Sequence, residues 1–173
     1  MYNEKYDLIE TKRGRKVYLG YGLIASRKAS TYISFNHIKE AISKIKTLIN
    51  EEYFGTIDLG RPVGKSACLT ITDENKDKVQ MLYRNGKQYR TPVIINGKMQ
   101  NTQLVTLGIR HDKKDKDLYY VFAAWYGPKA VREPLDKNIE SEEERQECVE
   151  FWSNHALSMS PRCIDWERSK EVV

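Results

Sequence analysis

Val79-Gln80-Met81-Leu82-Tyr83-Arg84-Asn85-Gly86-Lys87-Gln88-Tyr89-Arg90-Thr91-Pro92-Val93-Ile94-Ile95 reads as two strands about a turn. Asn-Gly takes positive φ at low cost, so Asn85-Gly86 between apolar flanks is a strong hairpin signal. Asn96-Gly97 repeats it, and Cys68–Thr72 supplies an earlier strand. Further on, Gln103–Arg110 and Asp117–Trp125 flank the charged loop His111–Lys116. Val105, Leu107 and Ile109 alternate with Leu104, Thr106, Gly108 and Arg110, the period-two signature of a strand with one buried face. The middle of the chain is therefore expected to be an antiparallel sheet of four or five strands.

Upstream, Ile38, Ala41, Ile42, Ile45, Leu48 and Ile49 recur at helical spacing behind Asn36, a residue suited to an N-cap. Lys39, Lys44 and Lys46 lie largely off that stripe, and Gly55 ends the segment. Val17–Ala25 reads as a strand weakened by Gly20 and Gly22. Downstream, Gly127-Pro128 and Glu133-Pro134 are breakers. Ser141 and Glu144 have capping-box spacing and start a second helix, with Val149, Trp152 and Ala156 as its docking face. Beyond Pro161 the pattern is irregular. The result is an α+β layout with one helix packed across the sheet and a second, C-terminal helix. The expected boundaries are a basic arm and strand over 1–35, one α+β domain over 36–157 and a tail over 158–173.

The longest apolar runs, such as Val121–Tyr126, are far too short for a membrane span, and Met1–Asp7 is polar, unlike a signal peptide. Three cysteines, Cys68, Cys148 and Cys163, fit reduced thiols in the cytoplasm rather than a disulfide framework. Residues 1–132 hold 24 Lys and Arg against 13 Asp and Glu, whereas residues 133–173 hold 5 against 11. A basic body with an acidic segment suits a polyanionic partner; it equally suits a soluble protein whose acidic segment folds back on the body.

The basic residues gather in three places. Lys12, Arg13, Arg15 and Lys16 form an arm able to meet phosphates. Gly60-Arg61-Pro62-Val63-Gly64-Lys65-Ser66 imitates a P-loop, but it has three residues between its glycines instead of four, and a strand follows instead of a helix. It reads better as a turn presenting Arg61, Lys65 and Ser66 to a single backbone phosphate. Arg84, Lys87 and Arg90 crowd the hairpin. With a two-residue turn Arg84 would face Lys87, and like charges directly opposed cost stability unless the tip is solvated or binds an anion. Among the aromatics, alternation groups Tyr119 with Trp125 and Tyr120 with Tyr126; one set is core and the other could stack bases. His37 and His111 read as surface residues. His155 has two readings, a structural histidine at a helix C-terminus and a general acid or base. No Cys or His pair has zinc spacing, so neither metal nor cofactor is expected.

Gly64-Lys65-Ser66, Arg84 with Thr91-Pro92-Val93, Ala123-Ala124-Trp125-Tyr126-Gly127, Glu133-Pro134 and Phe151-Trp152 with His155-Ala156-Leu157 together resemble a group of uncharacterised bacterial, plasmid and phage proteins. That group is similar to the barnase/EndoU/colicin/RelE-like nuclease superfamily. The resemblance covers residues 64–157. It implies an antiparallel sheet with N-terminal helical material, metal-independent ribonuclease chemistry, and attention to Lys65, Ser66, Arg84, Thr91 and His155. Such chemistry needs a base for the 2′-hydroxyl, an acid for the leaving oxygen and cations at the phosphate. His155 or Glu133 would serve as acid or base, Arg84, Arg90 and Lys65 would hold phosphate, and Ser66 and Thr91 would donate hydrogen bonds. The leading expectation is thus a cytoplasmic protein of a mobile element that interacts with nucleic acid, RNA above all. The alternative is a non-enzymatic counter-defence inhibitor of anti-CRISPR type, which would bind a nucleic-acid-guided effector complex and could use acidic segment 136–150 as a nucleic-acid mimic.

Overall fold

A computed structural model of the chain describes residues 8–10, 16–18, 33–45, 52–111, 114 and 118–170. The strands are β1 (Leu8–Glu10), β2 (Lys16–Tyr18), β3 (Glu52–Asp58), β4 (Gly64–Ser66), β5 (Cys68–Thr70), β6 (Gln80–Tyr83), β7 (Arg90–Ile95), β8 (Gln100–Thr102), β9 (Leu104–His111), β10 (Leu118–Tyr126) and β11 (His155–Met159). The helices are α1 (Phe35–Lys44), α2 (Glu142–Asn154) and the short α3 (Trp166–Ser169). The fold is α+β. The expected single meander is instead divided into a five-stranded sheet in the order β1-β2-β10-β9-β3, a four-stranded sheet β5-β11-β7-β6 and a two-stranded ribbon β4-β8. Two compact units result: residues 1–66 with 101–129, and residues 67–100 with 130–173. The boundaries expected at 35 and 157 are not the ones the contacts draw.

In the first unit β10 is the central strand, parallel to β2 and antiparallel to β9, and β9 is antiparallel to β3 as well. Val105, Leu107 and Ile109 are fully buried, as their alternation predicts. They meet Ile38, Ala41 and Ile42 of α1, with Ile33, Ile45, Leu59, Val121 and Ala124 completing one core. Ser34, not Asn36, caps α1, its side chain accepting from the Asn36 amide at 3.3 Å. Strand β3 runs through Gly55, which sequence reading took as a terminator. Tyr53 and Gly55 share a face, and the Tyr53 ring occupies the space a Cβ on Gly55 would need. The 36–49 helix prediction exceeds α1 at its C-terminal end, and residues 46–50 lie outside the described set.

In the second unit β6 and β7 pair antiparallel, with Tyr83 opposite Arg90. Six residues, not two, therefore connect them. The Lys87 amide donates to the Arg84 carbonyl at 3.0 Å, and Gly86 takes φ 75°, so the left-handed position falls on the third residue of a turn that starts at Arg84. Lys87 is displaced from the ladder and the like-charge opposition never forms. Asn96-Gly97 closes no hairpin, because β7 and β8 belong to different sheets. β11 joins the sheet parallel to β7 and antiparallel to β5. Two small apolar clusters result, Leu69, Ile94 and Ala156 in one and Leu82, Val93 and Ile164 in the other. Ser141 caps α2 by accepting from the Glu144 amide at 3.1 Å, as the spacing predicts, but Glu144 reaches back to the Glu140 amide. Cys148 and Trp152 are the buried face of α2; Val149 is exposed and Ala156 belongs to β11. The supposed tail is structured over its described residues, 158–170: β11 extends to Met159, and Ile164, 4% exposed, pairs with Arg84 in an isolated bridge. No helix among the described residues is long and apolar enough to cross a membrane.

Candidate functional site

A polar cavity of about 310 Å³ opens in the second unit, lined by Arg84, Gly86, Lys87, Gln88, Tyr89, Glu133, Asp136 and Asn138. Two walls make it. One is the long β6–β7 connection, which exists because the turn beginning at Arg84 closes on itself before β7 starts. The other is the irregular stretch after Pro128, where breakers prevent regular structure and successive turns take over. The Asp136 amide donates to the Glu133 carbonyl at 2.9 Å and the Ile139 amide to the Asp136 carbonyl at 3.2 Å.

Helix α2 fixes Glu133 from both sides. The buried Trp152 donates Nε1–H to the Arg132 carbonyl at 3.1 Å, and Arg145 donates to the Pro134 carbonyl. Glu133 is thus held between two anchored neighbours, which restricts its side chain to the cavity wall. There its Oε1 accepts from Thr91 Oγ1 at 2.9 Å and from Arg84 Nη2 at 3.1 Å. Arg84 Nε also donates to Thr91 Oγ1 at 3.4 Å. Thr91 is fully buried, and the Arg84 and Glu133 side chains are 22% and 14% exposed. Breaking such a pair on one side leaves a poorly solvated charge behind.

These contacts engage Nε and Nη2 of Arg84 and a single oxygen of Glu133. No buried side-chain nitrogen or oxygen among the described residues lacks a partner. Arg84 Nη1 and Glu133 Oε2, which make no hydrogen bond among those residues, therefore reach solvent. The cluster can offer a donor and an acceptor to a ligand without breaking its internal bonds. The Lys87 side chain is exposed beside it, and Tyr89 is fixed by its hydroxyl, which accepts from the Lys137 amide at 3.2 Å.

His155 is the first residue of β11, not the last turn of α2. Its ring stacks on Phe151 with centroids 4.2 Å apart, and its Nδ1 lies 2.8 Å from the Phe151 carbonyl. The rows Leu157↔Val93 and Leu82↔Thr91, continued by alternation, put His155, Thr91 and Arg84 on one face of the sheet. No hydrogen bond joins His155 to that cluster, and it does not line the cavity.

The remaining candidates are held elsewhere. Arg90 donates to the carbonyls of Met81, Arg168 and Ser169 and packs on the Tyr83 ring, fastening α3 to the sheet. Arg61, Lys65 and Ser66 belong to the first unit. Arg61 forms a fork with both oxygens of Glu40 at 2.6 and 2.7 Å and holds that carboxyl below its ordinary range. Ser66 is 3% exposed and packs where a Cβ on Gly127 would sit. Lys65 is exposed on β4, and β4, not a helix, follows the glycine-rich turn. Lys12, Arg13 and Arg15 lie outside the described residues, and Lys16 begins β2. His37, expected at the surface, is half-buried with Nδ1 2.6 Å from the Tyr126 hydroxyl.

Sequence reading missed Gln88, Asp136 and Asn138 as wall residues. The only signal for them was their position beside a turn dipeptide and a proline breaker. Among the described residues no three His, Cys, Asp or Glu side chains gather in a way that could hold a metal ion.

No family model matches the sequence, and no curated protein matches it. The architecture is similar to the 2.35 Å crystal structure of a conserved hypothetical protein from Toxoplasma gondii ME49. The TM-score is 0.52 at 11% identity, over 72% of this chain and 83% of that one. At that identity the likeness concerns the fold alone.

Proposed function

We propose that the protein is a cytoplasmic, nucleic-acid-interacting protein of a mobile element and that the cavity of its second unit binds an RNA phosphate and cleaves the adjacent bond without a metal. The observation that carries this reading is the carboxylate of Glu133, fixed through one oxygen by Arg84 and Thr91 and open to solvent through the other. A base so placed can take the proton of a 2′-hydroxyl. The 2′ oxygen then attacks phosphorus, the bond to the 5′ oxygen breaks, and a 2′,3′-cyclic phosphate is left. Arg84 Nη1 and Lys87 supply positive charge to the phosphoryl oxygens as their charge grows. The departing oxygen needs a proton, a role assigned to His155 on the same sheet face.

The test is incubation of labelled RNA with the protein in EDTA, beside Glu133→Gln, Arg84→Ala and His155→Ala. Positioned acid–base catalysis contributes roughly 10²–10⁴-fold, so Glu133→Gln should lose at least about 100-fold in rate. Arg84→Ala should lose a similar amount and His155→Ala somewhat less. An inactive wild-type protein, or a Glu133→Gln variant as active as wild type, overturns the reading.

One observation favours the second reading, an inhibitor of a nucleic-acid-guided complex. Glu143, Glu147 and Glu150 are exposed along one stripe of α2, a row of carboxylates suited to a basic groove. RNA left intact while a guide-RNA effector is captured through that stripe would move the assignment to it.

A further inference from the structure

The five-stranded sheet of the first unit has α1 on one face. Its other face carries aromatic rings. Phe54 of β3 is 38% exposed and contacts Phe122 and Trp125 of β10, with ring centroids 5.8 and 5.5 Å apart. Two features make this surface possible. The register places Phe54 opposite Gly108 of β9 and Gly108 opposite Ala123 of β10. A Cβ on Gly108 would lie 2.6 Å from the Phe122 ring, so only glycine leaves room for the ring across β9. Phe122 follows the core-facing Val121 and so lies on this face by alternation, and the register shift between Val121 and Ala123 brings Trp125, opposite Thr106, onto the same face. That shift also breaks the parity that grouped Tyr119 with Trp125. Two cations sit on the rings: the Arg110 guanidinium 4.0 Å above Phe122, and the Lys129 ammonium 4.3 Å from the centre of Phe54. Lys129 is held there by its own amide, which donates to Thr56 Oγ1 at 3.0 Å.

We propose that this face is a stacking surface for single-stranded nucleic acid, with Phe54, Phe122 and Trp125 receiving bases and Arg110 and Lys129 meeting the backbone. Three arguments select that occupant. Aromatic rings on a sheet with cations between them match the alternation of base and phosphate along a single strand. An arginine guanidinium is itself a plane on which a base can stack. The unit's charge is complementary to a polyanion: it holds 17 Lys and Arg against 10 Asp and Glu, a net of +7, while the second unit holds 12 against 14, a net of −2. The proposal is independent of the cleavage assigned to the second unit. It concerns binding through another set of residues and applies to DNA as well as RNA.

Binding is read by fluorescence anisotropy with a labelled oligothymidylate of about 12 nucleotides, within the range of known single-strand sites. The probe has no 2′-hydroxyl, so cleavage cannot enter the measurement. Phe54→Leu and Trp125→Leu should each weaken binding roughly tenfold, in the range found for losing one stacked base. Leucine keeps apolar bulk, and a thermal melt of each variant reports its fold. Lys129→Ala should reduce the slope of log affinity on log salt by about 0.7. An abasic oligomer of the same length should bind at least roughly tenfold more weakly. Equal binding of the abasic oligomer overturns the proposal, because phosphate attraction alone would explain it. Unchanged binding by a folded Phe54→Leu/Trp125→Leu double variant, or no binding by wild type, overturns it as well. In either case the rings and their cations are only a solvated sheet face.

Discussion

The two units solve the problem of a buried threonine differently. In the first, Thr106 is fully buried on the ring-bearing side of β9; its Oγ1 donates to the Gly127 carbonyl at 2.7 Å and lies 2.9 Å from Thr56 Oγ1. In the second, Thr91 is equally buried, but its hydroxyl serves the Arg84–Glu133 pair. One hydroxyl ties backbone to backbone; the other positions a charge. The cores differ in the same sense. The first unit joins eleven buried apolar residues in one cluster, whereas the second has two clusters of three. The large apolar core lies on the α1 side of its sheet, and beside the small clusters of the second unit Glu133 is held between neighbours that α2 anchors.

The largest expected effect tests the difference in cores. Leu107→Ala in the first unit should cost about 2–5 kcal/mol, the range for a fully buried leucine whose surroundings collapse only in part. Val93→Ala in the second should cost less, about 2 kcal/mol, because fewer buried carbons are removed. Urea unfolding can be followed through Trp125 in the first unit and through Trp152 and Trp166 in the second, using single-tryptophan variants. Leu107→Ala should shift the Trp125 transition more than Val93→Ala shifts the others. Equal shifts at all three probes in both variants would show that the division into units has no energetic counterpart.

Exchanging the threonines for valine sharpens the comparison. Thr106→Val leaves the buried Gly127 carbonyl without its donor and should cost about 1–3 kcal/mol. Thr91→Val removes a hydroxyl but leaves the Arg84–Glu133 pair in place, so its cost should be about 1 kcal/mol. Its larger effect should be a several-fold loss of RNA cleavage, because the Glu133 carboxylate loses one of its two restraints. Denaturant midpoints and initial rates on labelled RNA, taken on the same preparations, separate the two. A Thr91→Val variant with full activity would show that Arg84 alone positions the carboxylate.

How much of this was legible in the sequence depended on whether the signal was local. The alternation over Leu104–Arg110 identified β9 correctly, because one face of a strand against a helix is a pattern that neighbouring residues carry themselves. Ser141 and Glu144 marked the start of α2 for the same reason. The division into two sheets was not legible, since Asn96-Gly97 looks identical whether the strands beyond it pair with each other or with distant partners. The pairing of Arg84 with Glu133 spans 49 residues and has no periodic trace; both residues were singled out, but for separate reasons. Phe54 went unread because a glycine broke the strand pattern in β3, and Trp125 was grouped with Tyr119 because a bulge reverses parity in β10. In each case the overriding term was tertiary: a ring lying over a glycine, or an extra residue absorbed by a bent strand.

The smallest expected effect lies on the acid side, where each unit holds one depressed carboxyl among the described residues. The hydrogen bond from Arg61 lowers Glu40 in the first unit, and the hydrogen bond from Arg168 lowers Asp165 in the second. A carboxyl whose folded pKa lies below its unfolded value contributes stability that is fully present above the unfolded pKa. That contribution disappears as pH falls through the folded value, so it should be lost below about pH 4. Both side chains are partly open to solvent, 29% and 31% exposed, so solvent and salt screening keep each contribution small. Glu40→Gln retains an acceptor for Arg61 and should flatten the acid limb of the Trp125 transition, with little change at neutral pH. Asp165 has a second duty: it caps α3, its Oδ1 accepting from the Arg168 amide at 3.2 Å. Asparagine caps nearly as well as aspartate, so Asp165→Asn should keep α3 in place and remove only the charge. The acid limb of the second unit should then flatten at low salt, and a few tenths molar salt should erase the difference between variant and wild type. An acid limb that neither substitution alters would mean that the carboxyls governing acid unfolding are others.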